Sequence, residues 1–149
     1  MDIENSLTYL VTQVSTAHQN ILQRTMNEIG LQRGQIFVLI SLWKTDGQSQ
    51  IDLVNHLNVS APTINKMIGN LEKNGFVKCI KCSQDGRMMR VYLTEKSFQI
   101  KSVFEEQWLK LETQSFSFLT EIEKLILIQL FGKMKENLGK NISSLPNDL

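Results

Sequence analysis

Residues 49–77 read SQIDLVNHLNVSAPTINKMIGNLEKNGFV, two short helical patterns separated by only a few residues. Ser49 followed three positions later by Asp52 is a capping-box pattern, and Leu53, Val54 and Leu57 supply the buried stripe of a helix ending near Asn58. Ser60 is expected to cap a second helix, with Pro62 tolerated in its first turn because the amides there have no intrahelical acceptor. Gly75, after Asn74, can take the left-handed conformation that stops it. Two short helices on a tight turn form a helix-turn-helix, and the rest of the chain must be built around that pair.

The second helix has two different sides. At about 100° per residue, Ile64, Met67, Ile68 and Leu71 gather on one, while Pro62, Thr63, Lys66, Gly69, Asn70 and Lys73 lie on the other. The polar side holds no acid; it offers hydrogen-bonding groups and two lysines, the chemistry that base edges and phosphates require. Gly69 is a residue that helix propensity would not select, since an interior glycine costs about 1 kcal/mol relative to alanine. Close approach to another body and a neutral accident are both open readings of it.

Val77–Cys82 and Arg90–Leu93 are expected to form two short strands, a hairpin turning at Asp85-Gly86. On the other side of the pair, an amphipathic pattern from Ile3 to Ile29 predicts one long helix closed by Gly30. A second helix follows over Leu31–Lys44, with Ile36, Leu39, Ile40 and Trp43 on one core stripe, ended by Thr45-Asp46-Gly47. After the hairpin, Thr94 starts a helix to about Phe118. Thr120 with Glu123 then caps a last one reaching about Gly139, before a frayed tail.

Charge is unevenly spread. From Ala61 to Arg90 six basic residues face two acidic ones, a balance of +4 in a chain whose total is +1, which leaves −3 for the remainder. Such an electropositive island is the footprint of a polyanion-binding surface. A length of 149 residues suits one domain with a real core, and no stretch approaches the roughly 18 consecutive apolar residues of a membrane span. The acidic start MDIENSLTYL has none of the marks of an export signal, so a cytoplasmic location without membrane association is expected.

The order of elements, with the stretches SQIDLVNHLNVS, SAPTINKMIGNLEKNGFV and DGRMMRVYLTEKS, resembles the MarR (multiple antibiotic resistance regulator) family of winged helix-turn-helix transcription regulators. The resemblance implies a mainly α fold with a small β-hairpin wing. It implies a single domain over 1–149, with a DNA-binding lobe at 31–94 and dimerisation helices at 1–29 and 95–145. It also implies a homodimer on double-stranded DNA, acting as a repressor at a near-palindromic operator and released by a small lipophilic or phenolic effector. On this reading Thr63, Asn65, Lys66 and Asn70 contact bases and backbone in the major groove, with Ser60, Pro62 and Lys73 near phosphates. Arg87 matches the family's minor-groove arginine, Asp85 the wing acid that steadies an arginine, and Arg90 is a backbone contact or a support for the wing. Met88 and Met89 depart from the polar residues usual in the wing, with packing beneath the hairpin as the alternative to tracking a phosphate backbone.

Other signals are weaker. Cys79 and Cys82 form a CxxC, but residues three apart on a strand lie about 10 Å apart, beyond the roughly 7 Å limit for a disulfide. With His18 and His56 on other elements, no metal site is expected, and no cofactor either, because the chain has no phosphate-cradling glycine loop. No nucleophile is set beside a base, so no catalytic residue can be named. His18 is either an effector contact or a satisfied, partly buried residue. Leu125, Ile126, Leu127, Ile128, Leu130 and Phe131 cover nearly the whole circumference of the last helix, and a second chain is the natural cover, with Ile3, Leu7, Leu10, Phe116, Phe118 and Leu119 extending the interface. Two other readings use the same scaffold: a protein-interaction module docking an acidic partner, and a thiol-based sensor.

Overall fold

The computed structural model describes residues 2–84, 86 and 88–143. The elements run α1 (Leu7–Glu28), α2 (Arg33–Lys44), β1 (Gln48–Ser49), α3 (Gln50–Leu57), α4 (Ala61–Lys73), β2 (Val77–Lys81), β3 (Met89–Leu93), α5 (Glu95–Phe116) and α6 (Glu121–Ser143). They fall into two compact units, residues 1–111 and 112 onward, with the end of α5 belonging to the second. None of the described helices is long and apolar enough to cross a membrane.

The first unit holds the core, with α2 at its centre. Ile36, Val38, Leu39 and Leu42 are all essentially inaccessible, so α2 is covered on more sides than the single expected stripe. It packs against α1, α3, α4 and β3, which bring Met26, Leu53, Ile64, Leu71 and Val91 into the same cluster. Each such side chain, fully buried, contributes about 1.5–3 kcal/mol relative to exposure. Trp43 is only partly buried; its ring lies 5.2 Å from Phe104, which lies 5.4 Å from Trp108. The indole nitrogen of Trp43 is buried with no partner among the described residues.

Local chemistry sets the helix ends. After α1, Gly30 takes φ 74°, Leu31 N–H donates to Met26 O at 2.9 Å and Gly30 N–H to Asn27 O at 3.1 Å. The same pair of bonds closes α4, where Gly75 has φ 75° and the amides of Phe76 and Gly75 reach Leu71 O and Glu72 O. Both are Schellman turns, and both put an apolar residue, Leu31 or Phe76, into the core. The helix from Ile3 begins instead at Leu7, because the Ser6 hydroxyl accepts the Tyr9 amide and ends the helix there.

The hairpin is wider than expected. Gln48–Ser49 adds a third strand, giving the antiparallel order β1-β3-β2, with Gln48 opposite Val91 and Val77 opposite Leu93. A two-residue strand carries no periodicity, so only its docking on β3 creates it. Gly47, at φ 69°, precedes it because the Tyr92 ring would lie 2.7 Å from a Cβ at that position.

The second unit contains α6, opened by the expected box: Thr120 N–H donates to the Glu123 carboxylate at 2.8 Å, and Glu123 N–H to the Thr120 hydroxyl at 3.3 Å. The helix runs past Gly139 to Ser143. The rest of the expected frayed tail, residues 144–149, lies outside the described residues. No residue from Glu121 to Gly139 is buried.

Candidate nucleic-acid interface

The first helix of the pair is held by its neighbours before the second is presented. Ser49 N–H donates to the Asp52 carboxylate at 2.9 Å and Asp52 N–H to the Ser49 hydroxyl at 3.2 Å, the reciprocal box that starts α3. These bonds, the Ser49 hydroxyl first, hold the Asp52 carboxyl below its ordinary value. The buried Gln48 amide donates to Ser41 O at 2.8 Å and Thr45 O at 2.7 Å. Its oxygen is 2.7 Å from Nδ1 of His56 and accepts from it, which ties α2, β1 and α3 together. Asn58, the one non-glycine residue with positive φ among those described, makes the tight turn at φ 52°.

On α4 the two expected sides separate. Ile64, Ile68 and Leu71 are buried and Met67 half-buried, while Pro62, Thr63, Asn65, Lys66, Gly69 and Lys73 are exposed and Asn70 is half-exposed. Ser60 occupies the N-cap position, but its hydroxyl lies 2.8 Å from that of Thr63 and caps no amide. The expected side-chain cap is therefore replaced by a hydroxyl pair at the helix start. Lys66 and Lys73 make no ion pair among the described residues; the pairs present there are Lys101–Glu105, Lys110–Glu106 and Lys124–Glu121, on α5 and α6.

The one acid on the flank of α4 is occupied. Glu72 accepts the outward amide of Cys79 on the edge strand β2 at 2.9 Å, joining helix and hairpin. On the opposite edge, Arg90 donates to Gly47 O at 2.8 Å, and Asp46 accepts both Gly47 N–H and Leu93 N–H at 2.9 Å. Sequence reading missed Glu72 and Asp46. The Asp46-Gly47 pair was legible as a helix stop, whereas a bond to Leu93, 47 positions away, leaves no local mark.

At the hairpin tip, Asp85 and Arg87 lie outside the described residues. Cys82 N–H donates to Met88 O at 2.7 Å, continuing the pairing of β2 and β3 by one bond. Packing of Met88 and Met89 beneath the hairpin is not what is found: their side chains are exposed, at 36% and 39%. The inner face is already filled by Val77, Val91 and Leu93.

No disulfide joins Cys79 and Cys82. Burial, and then the negative charge of Glu72, push the Cys79 thiol up to about 11, the opposite of what a reactive sensor thiol needs. Among the described residues no group of three or more His, Cys, Asp or Glu is placed to hold a metal. His18 is half-buried on α1. An open groove of about 350 Å³ on that helix is lined by Tyr9, Thr12, Gln13, Thr16, Ala17 and Asn20, without His18.

A short helix, a tight turn, an exposed polar helix and an antiparallel hairpin joined to it define a winged helix-turn-helix protein. Residues 31–89 match the model of the MarR family. A MarR protein from Peptoclostridium difficile is 26% identical, with a TM-score of 0.85 over 95% of this chain and 93% of that one. The chain shares its fold with MarR-family transcriptional regulators and matches that family's model over its helix-turn-helix and hairpin. Its fold is shared by Bordetella bronchiseptica BpsR, whose DNA binding is regulated by 6-hydroxynicotinic acid (20% identity, TM-score 0.84, 91% and 96% of the two chains). It is shared too by Streptomyces coelicolor PcaV, solved with its natural ligand (18%, 0.83, 91% and 96%).

Proposed function

We propose that this protein is a homodimeric repressor that reads a near-palindromic operator with α4 and the β2–β3 wing of each subunit and is released by a small lipophilic or phenolic effector. The observation that carries the reading is the outer side of α4: an acid-free surface of Thr63, Asn65, Lys66, Gly69, Asn70 and Lys73 whose lysines have no carboxylate partner among the described residues. Cations left unpaired beside short hydrogen-bonding groups suit phosphate and base-edge contact in one groove. Arg87 is assigned the minor-groove contact and Asp85 its support. Arg90, bonded to Gly47, is assigned to the wing's frame. Dimerisation is supported by α6, where Leu125 and Ile128 are each 68% exposed. Effector control is supported by the ligand-bound or ligand-regulated relatives PcaV and BpsR.

The test is fluorescence anisotropy with a 30-bp duplex across a salt series. Binding must weaken steeply with salt, by a slope of about 0.9 per phosphate neutralised. The Lys66→Ala/Lys73→Ala double variant should lose about two units of that slope, and Arg87→Ala about one. Salt-independent binding, or no binding with retention on an acidic protein partner, would replace this reading with that of a protein-interaction module.

A further inference from the structure

Gly69 lies in the interior of α4 with nothing within 4 Å of where a Cβ would stand, and its φ is ordinary for a helix. Three other glycines in and around the helix-turn-helix, Gly34, Gly47 and Gly75, answer to the chain's own packing or backbone, whereas Gly86 in the wing and Gly132 in α6 share Gly69's open surroundings. A Cβ on Gly34 would strike the Met67 methyl, one on Gly47 would meet the Tyr92 ring, and Gly75 holds φ 75°. Gly69 answers to neither. Alanine would fit there and would strengthen the helix.

The position of this gap is informative. It has Asn65 and Lys66 one turn before it, Lys73 one turn after it and Asn70 beside it. The asparagine amides have no hydrogen-bond partner among the described residues. Asparagine is short, so it reaches the floor of a groove only when the helix backbone itself comes close. A missing Cβ between them permits that approach. Once there, an asparagine amide matches adenine, donating to N7 and accepting from the N6 amino group. Guanine is read by arginine or lysine; α4 contains no arginine, so Lys66 and Lys73 are the positions on it that suit a guanine or a phosphate, and the asparagines are those that suit adenine.

We infer that Gly69 marks the closest approach of α4 to the duplex and that Asn65 and Asn70, flanking it, read adenines, so that each half-site is A·T-bearing under this helix. The inference rests on the DNA-binding reading above and adds to it a point of contact and a base preference.

The experiment uses the full chain, a duplex selected by the wild type from a randomised 30-bp library, and a scrambled duplex of the same length. Gly69→Ala should melt about 3 °C higher. It should bind the selected duplex at least about tenfold more weakly while binding the scrambled one within about twofold. Repeating the selection with Asn65→Ala and with Asn70→Ala should erase an adenine preference at one position per half-site in each case. Wild-type affinity of Gly69→Ala for the selected duplex overturns the inference, as do selected half-sites unchanged by both asparagine variants. Each of these leaves DNA binding intact. A wild type that binds neither duplex in a salt-dependent way removes the DNA-binding reading, and this inference with it.

Discussion

Cys79 shows how one contact reassigns a residue. By composition it is half of a CxxC; in place, its amide is bound by Glu72 and its thiol is kept protonated by burial and by that carboxylate. At pH 8 its thiolate fraction is lower than that of a thiol at the reference value of 9.0 by about a hundredfold, and alkylation should slow in proportion. Timed iodoacetamide labelling read by peptide mass spectrometry measures this. Glu72→Gln should speed the reaction, and labelling of wild-type Cys79 as fast as a small free thiol would show that the environment has no such effect. A redox switch centred on Cys79 is disfavoured by the same chemistry.

Among the elements, α3 is one whose stability is tied to pH, through a capping carboxyl of the kind that also opens α6. Ser49 holds the Asp52 carboxyl below 3.8, so the folded state binds the proton more weakly than the unfolded chain does. That contribution is fully present above about pH 4 and is lost as pH falls through the lower folded value. Urea denaturation between pH 6 and pH 3 should therefore show wild type losing stability at the acid end more steeply than Ser49→Ala. Parallel curves for the two proteins would mean that the box contributes nothing through charge. The elements on either side of α3 and α4 are fastened differently, by Gln48, Arg90, Asp46 and Glu72, each bonding backbone of another element. These bonds set the wing's frame without using Asn65, Lys66, Asn70 or Lys73 of α4.

At the scale of the molecule, the open question is what covers the apolar surface. Ile122, Leu125, Ile126, Ile128, Leu130 and Phe131 are all exposed on α6, as are Leu7, Leu10 and Val14 on α1. Exposed apolar side chains in such number on a single helix mark an interaction site, and a second copy is the proposed cover. Sedimentation should give twice the chain mass for wild type, and Leu125→Asp/Ile128→Asp should shift it to the single-chain mass. The melting temperature of wild type should rise with protein concentration. A wild type that is monomeric at micromolar concentration would leave the dimer unsupported and α6 in need of another partner.

What the amino-acid order determined by itself is what acts within a few residues: the helical stripes, the capping boxes at Ser49 and Thr120, the left-handed glycines at 30 and 75, and the polar side of α4. Those features follow from periodicity and from the conformations single residues can adopt, so no partner element is needed to read them. The tertiary structure alone decided the third strand, the burial of α2 beyond a single stripe, and the engagement of Arg90 with a carbonyl 43 residues away. Such contacts exist only once elements dock, because a lone backbone amide or carbonyl looks the same in every sequence until docking gives it a neighbour.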